Sequence, residues 1–342
     1  MNNSFKRFRW FVVPMLIIAL MVGGCKKSSS TGPDTDIPTY PVTAKVLDPQ
    51  GYPLGGATLT LLNPPFEDPK FTSLTDSTGK ATIQSPAGQQ TLIAKFGTVF
   101  EGTLNVTVAA SSTPTIVTTP IQVHQNTSLG KVLVVLASAE KLEDVLHAIG
   151  YTTFDSISVD ALRDSAAIDS TKLLQYLKQY KLVFSDCNGG DEYQYPLLAR
   201  VYGRYVTGGG KIYGGHYNYY ILQFIWPPYF THRDYQGDAL TDTLKIVDNN
   251  LQKAVGTFLD WTQSEDSRHL SGYQKFSDLP PAPVSHTYGV IKGTNPEVGV
   301  IVECYPNPNP NGGKYLWTDY HNQDILNNTK LLKIVTYFLN GM

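Results

Sequence analysis

The stretch "KVLVVLAS" at residues 131–138 decides the fold class of this 342-residue chain. It is an apolar run without alternation, which is typical of a strand buried on both faces of a sheet. The following segment, "AEKLEDVLHAIGY" at 139–151, repeats apolar residues at helical spacing. A buried strand followed by an amphipathic helix is the unit of a parallel sheet that carries packed helices.

The same alternation of strands and helices continues to the end of the chain. It is seen in "DSTKLLQYLKQYKLVFSD" (169–186), "YPLLARVYGRYVTGGGKIYGG" (195–215), "VGVIVECY" (298–305), "KYLWTDYH" (314–321) and "ILNNTKLLKIVTYFLN" (325–340). We therefore predict that residues 129–342 form an α/β domain with a doubly wound, mostly parallel sheet, of the flavodoxin-like type.

Upstream of this domain, residues 40–125 have a different texture. Short segments rich in Thr, Val and Ile alternate between apolar and polar residues, and Gly, Pro, Asp and Ser separate them. This pattern predicts a small all-β sandwich, so the chain is predicted to be multidomain. The motifs "VLDPQGYPLGGA" (46–57), "TDSTGKA" (75–81) and "PAG" (86–88) resemble the carboxypeptidase regulatory-like domain, an immunoglobulin-like or transthyretin-like sandwich. That resemblance implies a spacer or binding accessory.

The first 25 residues have the pattern of an export signal. Basic "KRFR" (6–9) precedes the apolar "WFVVPMLIIALMV" (10–22), which is shorter than the roughly 20 residues needed to span a membrane. The sequence "VGGC" (22–25) then resembles the lipobox of bacterial lipoproteins. The resemblance implies lipidation of Cys25, anchoring to a membrane of the cell envelope, and sorting to the outer membrane because Lys26 follows. The polar residues 26–39 are predicted to form a flexible linker.

Charge and cysteine content narrow the possible partners and cofactors. The formal net charge is −2, and no basic stripe is present, which argues against a nucleic-acid partner. Without Cys25, two cysteines remain, Cys187 and Cys304. Both follow or end predicted strands at the same sheet edge, so either a disulfide or free thiols fit the sequence. No His, Asp or Glu cluster has metal-ligand spacing, so we predict no metal and no cofactor. The sequence does not predict the oligomeric state.

The candidate functional site begins where the strand at 181–186 ends. Cys187, Asn188 and Gly189 follow this strand directly, and the carboxyl ends of parallel strands are where ligands bind in such sheets. A tight turn with glycine can lift a nucleophile clear of the backbone. His216 follows the strand "KIYGG" in the same way, so it is predicted to line the same crevice.

Two short motifs resemble the class I glutamine amidotransferase-like fold. "DCNGG" (186–190) is similar to the family's nucleophile elbow, and "DYHNQ" (319–323) to the stretch that supplies its base and acid. The resemblance implies that Cys187 is the nucleophile and His321 the base. Gln323 stands where the family has glutamate, and an amide cannot balance the charge of an imidazolium.

This incomplete triad favours a non-catalytic role. The sequence predicts a lipid-anchored envelope protein that binds or scaffolds a glycan or another envelope component, rather than an enzyme. The alternative is a hydrolase of an amide or ester that uses Cys187 and His321. An acid close to His321 in space, for example Asp319 or Asp324, would favour the hydrolase.

Overall fold

The computed structural model describes residues 37–138, 140–187, 196–225, 231–233, 241–249, 251–252, 258–262, 269–271, 284–291, 298–305, 313–318 and 320–342. The predicted signal segment and Cys25 therefore lie outside the described residues, as does most of the predicted linker. Among the described helices, none is long and apolar enough to cross a membrane.

Residues 39–125 form two small sheets. The strands are β1 (Thr39–Leu47), β2 (Thr58–Leu61), β3 (Thr72–Leu74), β4 (Lys80–Pro86), β5 (Gly88–Phe96), β6 (Phe100–Val108), β7 (Thr115–Ile116), β8 (Ile121–Gln122) and β9 (His124–Gln125). One sheet has the order β4-β1-β7, with β8 also paired to β1, and the other has the order β3-β2-β5-β6-β9. Alternate residues of β1 and β5 are buried in one hydrophobic cluster, which explains the alternating sequence pattern.

The remaining strands form one large sheet with helices. The strands are β10 (Lys131–Leu136), β11 (Asp155–Ser158), β12 (Tyr180–Ser185), β13 (Lys211–Gly215), β14 (Thr231–Arg233), β15 (Thr241–Ile246), β16 (Phe258–Thr262), β17 (His269–Ser271), β18 (Val284–Ile291), β19 (Val298–Tyr305) and β20 (Lys314–Thr318). The helices are α1 (Leu142–Ala148), α2 (Val159–Leu177), α3 (Pro196–Thr207), α4 (Tyr219–Ile225), α5 (Asn322–Asn327) and α6 (Thr329–Gly341).

The large sheet is mixed, with the strand order β11-β10-β12-β13-β20-β19-β18-β15-β16. The first five strands are parallel, and each later strand runs antiparallel to its neighbour. The prediction of a mostly parallel sheet is therefore wrong for β19, because an apolar run has the same pattern in either direction. As a result Cys304 pairs with Tyr315 near the start of β20, at the edge opposite to Cys187.

The parallel half of the sheet is buried on both faces. Val132 and Val134 of β10 join a hydrophobic cluster with residues of α1 and α6, whereas Leu133 and Val135 join a second cluster with residues of α2 and α3. This arrangement explains why "KVLVVLAS" lacks alternation, since each successive side chain meets an apolar layer.

The two small sheets contribute to the same core as one face of the large sheet. The rings of Phe100 and Tyr151 lie 5.0 Å apart at their centroids, edge to face. Gly97, with a φ of 59°, lies so close to α6 that a Cβ there would lie 1.9 Å from the Asn340 carbonyl oxygen. Residues 38–342 form one compact unit, and the division into 40–125 and 129–342 stays a prediction.

Candidate functional site at the carboxyl edge

Three of the residues predicted from the sequence lie together. Cys187, His216 and His321 follow the adjacent strands β12, β13 and β20, so the parallel register brings them to one edge of the sheet. The Cys187 Sγ atom lies 3.4 Å from His216 Nδ1, and the His216 and His321 rings are 4.2 Å apart at their centroids. Cys187 and His216 are buried, and His321 is nearly so.

The backbone at His216 has an uncommon conformation. Its φ is 32°, in the left-handed region that favours glycine. The Trp317 indole Nε1–H donates a hydrogen bond of 2.8 Å to the His216 carbonyl oxygen, which holds this turn against β20. Strained residues of this kind persist where the surroundings fix them, and they cluster at functional sites.

Glu140 supplies the carboxylate that the sequence does not place beside His321. One of its carboxylate oxygens pairs with His321 Nδ1, and the other accepts a hydrogen bond of 2.7 Å from the Asn322 N–H. Burial acts to raise the pKa of Glu140, but these two hydrogen bonds and the nearby histidines outweigh it, and the pKa is lowered. Gln323 is exposed on α5, and its place as the third triad residue stays a prediction.

The sequence contains a signal for Glu140 that motif matching misses. Glu140 follows β10, a parallel strand next to β12, and the carboxyl ends of neighbouring strands meet at one edge. A carboxylate in that position is a candidate site residue even though it is distant from His321 along the chain. Asp319, one of the acids predicted from the sequence, lies outside the described residues, and so does the side chain of Asp324.

Asp186 connects Cys187 to the helix that follows His321. Its Oδ1 atom accepts hydrogen bonds from the Cys187 N–H (2.8 Å) and from Asn322 Nδ2 (2.7 Å), and Oδ2 accepts one from the Leu142 N–H (3.3 Å). Burial, followed by the charge of Glu140, raises the pKa of Asp186 to about 7, although the hydrogen bonds act to lower it. Asp186 is therefore a titratable group that is hydrogen-bonded to the backbone of Cys187, the residue that carries the thiol.

Asn218 fixes the turn that carries His216. Its side-chain Nδ2 lies 3.1 Å from the Ser185 carbonyl oxygen, 2.7 Å from that of Asp186 and 3.1 Å from that of Gly215. Asn218 therefore joins the ends of β12 and β13, which sets the distance between Cys187 and His216.

The remaining sequence predictions have different outcomes. Asn188 and Gly189 lie outside the described residues. No disulfide joins Cys187 and Cys304, so the disulfide alternative is wrong. Glu140, His216 and His321 each offer one potential metal-ligand atom, and these atoms lie within 4.8 Å of one another. The three residues are far apart in the sequence, so metal-ligand spacing could not reveal them, and the absence of a metal stays a prediction.

Comparisons with known proteins do not assign the chain to a family. No protein-family model matches it, and no curated protein matches it either. Among solved structures, it is similar to a GMP synthase subunit from Thermoplasma acidophilum, with 9% identity and a TM-score of 0.42, over 62% of this chain and 94% of the other. A glutamine amidotransferase from Thermotoga maritima has 14% identity and a TM-score of 0.36, over 62% and 90%. PurLQS from Thermotoga maritima has 15% identity and a TM-score of 0.39, over 62% and 98%. These structural neighbours are amidotransferase-like, but at TM-scores this low they carry no argument about function.

Proposed function

We propose that this chain is a thiol-dependent hydrolase of an amide or ester, with Cys187 as the nucleophile. The observation that carries the proposal is the contact between Cys187 Sγ and His216 Nδ1 at 3.4 Å, beside a histidine that is paired with Glu140. A thiol within reach of an imidazole, in a site that also holds a carboxylate, is the arrangement that activates a cysteine.

The reaction balances with the groups present and one water molecule. His216 Nδ1 takes the thiol proton, and the Cys187 sulfur attacks the substrate carbonyl carbon. Collapse of the tetrahedral intermediate breaks the bond to the amine or alcohol, which leaves with the proton from His216. Water then attacks the thioester and gives up a proton to His216, and the carboxylic acid leaves as Cys187 regains its hydrogen.

His321 and Glu140 are positioning residues in this scheme. The His321 ring packs on the His216 ring, and Glu140 offsets positive charge that develops on the two histidines. The sequence favoured a non-catalytic role because Gln323 cannot balance an imidazolium, and Glu140 removes that premise. His216, rather than His321, is the proposed base, because its Nδ1 atom lies 3.4 Å from the thiol sulfur.

The test uses p-nitrophenyl acetate and the full chain. We expect a burst that releases one molecule of nitrophenol per chain, because one acetyl group is transferred to each chain. Mass spectrometry should find the added acetyl mass on the peptide that contains Cys187. Cys187→Ser should lose the burst and Cys304→Ser should keep it, since Cys304 is buried at the opposite edge. A burst that survives Cys187→Ser would overturn the proposal. No burst in the unaltered chain would instead favour the binding or scaffolding role for a glycan or other envelope component.

We also propose that the protein is lipid-anchored in the bacterial cell envelope, at the outer membrane, through Cys25. The charged leader and "VGGC" support this. The paired strands within 39–125 support a carboxypeptidase regulatory-like sandwich that acts as a spacer. Radiolabelled palmitate should label the wild-type chain and not Cys25→Ser, and a Cys25→Ser variant that stays in the membrane fraction would contradict the anchor.

A further inference from the structure

Three groups that can bind a metal ion meet at the carboxyl edge. Glu140 follows β10, His216 follows β13 and His321 follows β20, so three separate connections each contribute one ligand. His216 is buried, and the Glu140 and His321 side chains are only 11% and 17% exposed. A site of this kind is held by the sheet and is shielded from water.

The donor set matches a particular class of ion. Two imidazoles and one carboxylate are the ligands of many zinc sites with an open fourth position. Ligand atoms around tetrahedral zinc lie roughly 3.4 Å apart, because Zn–N and Zn–O bonds are about 2.0–2.1 Å long. The three ligand atoms already lie within 4.8 Å of one another, so side-chain movements of about 1 Å close the site.

We propose that Glu140, His216 and His321 bind one divalent transition-metal ion of the zinc class. Cys187 is not one of the three ligands, although it contacts His216. Each histidine would offer one imidazole nitrogen to the ion, and Glu140 one carboxylate oxygen. The binding does not depend on the proposed hydrolase activity. A metal ion and the thiol reaction compete for His216, so metal occupancy would inhibit hydrolysis.

The experiment titrates the metal-free full chain with ZnCl₂ by calorimetry, without any substrate. We expect one ion per chain with a Kd of about 1 µM or tighter. Glu140→Gln and His321→Asn should each weaken binding by roughly 100-fold or more, since each removes one of three ligands. Glu143→Gln is the matched control, because this carboxylate lies three residues away on α1 and is not in the ligand set. It should bind like the unaltered chain.

A second measurement protects the test against variants that misfold. Saturating zinc should raise the melting temperature of the unaltered chain and of Glu143→Gln, but not of Glu140→Gln or His321→Asn. Cys187→Ser should bind zinc normally while it loses the acetyl burst, so the two proposals fail separately. The metal site is overturned if the unaltered chain binds no zinc, or if both ligand variants bind it as tightly as the control.

Discussion

The two ends of the same parallel strands carry opposite kinds of polar chemistry. At the amino edge, β13 begins with Lys211 and β20 begins with Lys314, and the parallel register pairs these two residues. At the carboxyl edge, the same two strands are followed by His216 and His321. Both edges therefore bury charged or titratable groups, but the carboxyl edge is the one where groups suited to catalysis or metal binding lie together.

The amino edge is a set of paired charges. Lys314 Nζ lies 2.6 Å from Glu303 Oε1, with both side chains largely buried. Lys211 Nζ donates to Thr98 Oγ1 at 2.7 Å, and also to the main-chain oxygen of Met342. These contacts tie β13, β19 and β20 to the end of the chain and to the turn between β5 and β6. Because both lysine amines are paired with acceptors, we interpret this edge as stabilising the fold rather than as a catalytic site.

The carboxyl edge holds a thiol, two imidazoles and two carboxylates. The pKa of Asp186 is raised to about 7, and the imidazoles together with Glu140 can bind a metal ion, which the paired lysines of the amino edge do not offer. The difference follows from topology, because parallel strands direct their connecting loops to this edge and leave a crevice there. Four predictions test whether the two edges are separable in this way.

The largest effect is expected at the amino edge, on stability alone. Glu303→Gln leaves Lys314 without its carboxylate partner in a buried setting, which should destabilise the protein by about 3–5 kcal/mol. Urea unfolding measures this change. The double variant Glu303→Gln/Lys314→Met should recover much of the loss, since it removes the unpaired charge. The zinc affinity of the folded variants should be unchanged, and a large change would show that the edges are coupled.

The next prediction contrasts the pH dependence of the two edges. Asp186 has its pKa raised from 3.8 to about 7, so the folded state keeps a proton that the unfolded state loses. Its contribution to stability is full below about pH 4 and is lost as the pH rises towards 7, by up to roughly 4 kcal/mol. Glu140 has a lowered pKa, so its own contribution changes only below its usual value of 4.5.

Lys211 gives the opposite sign at higher pH. Burial, and then the charge of Lys314, lowers its pKa from 10.5 to about 8, so the folded state releases a proton first and stability rises between those values. Unfolding free energies from pH 4 to 10 should fall and then rise. Asp186→Asn should remove the fall in unfolding free energy at lower pH, and Lys211→Met should remove the rise at higher pH. If either variant also altered the part of the curve assigned to the other, the two edges would not be separable.

A smaller effect is expected from one methyl group beside the site. A Cβ at Gly214 would lie 2.6 Å from the Tyr315 hydroxyl and 2.7 Å from Asn218 Cβ, whereas one at Gly215 would meet nothing nearer than 3.6 Å. Gly214→Ala should therefore cost about 1–3 kcal/mol and displace Asn218 from the turn that carries His216. Gly215→Ala is the matched control and should be nearly neutral in thermal melting. Equal losses in both variants would contradict this packing.

Much of the framework was accessible from sequence patterns. The strands β10, β12 and β13 lie where the apolar runs predict them, and Cys187, His216 and His321 meet because parallel strands share an edge. The direction of β19 could not be predicted from the sequence, because an apolar run has the same pattern in either direction. For the same reason Cys304 was wrongly assigned to the edge of Cys187.

The acid partner of His321 illustrates a different limit. Motif comparison assumed that the acid lies two residues after the histidine, at Gln323, and that position turns outward on α5. Glu140 reaches His321 from a loop 181 residues away. Such a pairing depends on strand order, which the sequence alone does not give. Glu140 also completes the candidate metal ligands, so one missed residue changed both the metal and the catalytic predictions.

The smallest expected effect concerns a pair of buried hydroxyl groups on β13 and β20. Tyr213 of β13 and Thr318 of β20 are buried, and their hydroxyl oxygens are 2.8 Å apart. Tyr213→Phe and Thr318→Val should each destabilise the protein by about 1 kcal/mol, and the double variant by less than the sum, because both changes remove the same hydrogen bond. Burial, with a further contribution from the charges of Glu140 and Asp186, raises the pKa of Tyr213, which lies on the strand that His216 follows. If the edge is held by its own contacts, zinc affinity should stay constant through the cycle. A loss of affinity in Tyr213→Phe would mean that the strand interior also positions the site.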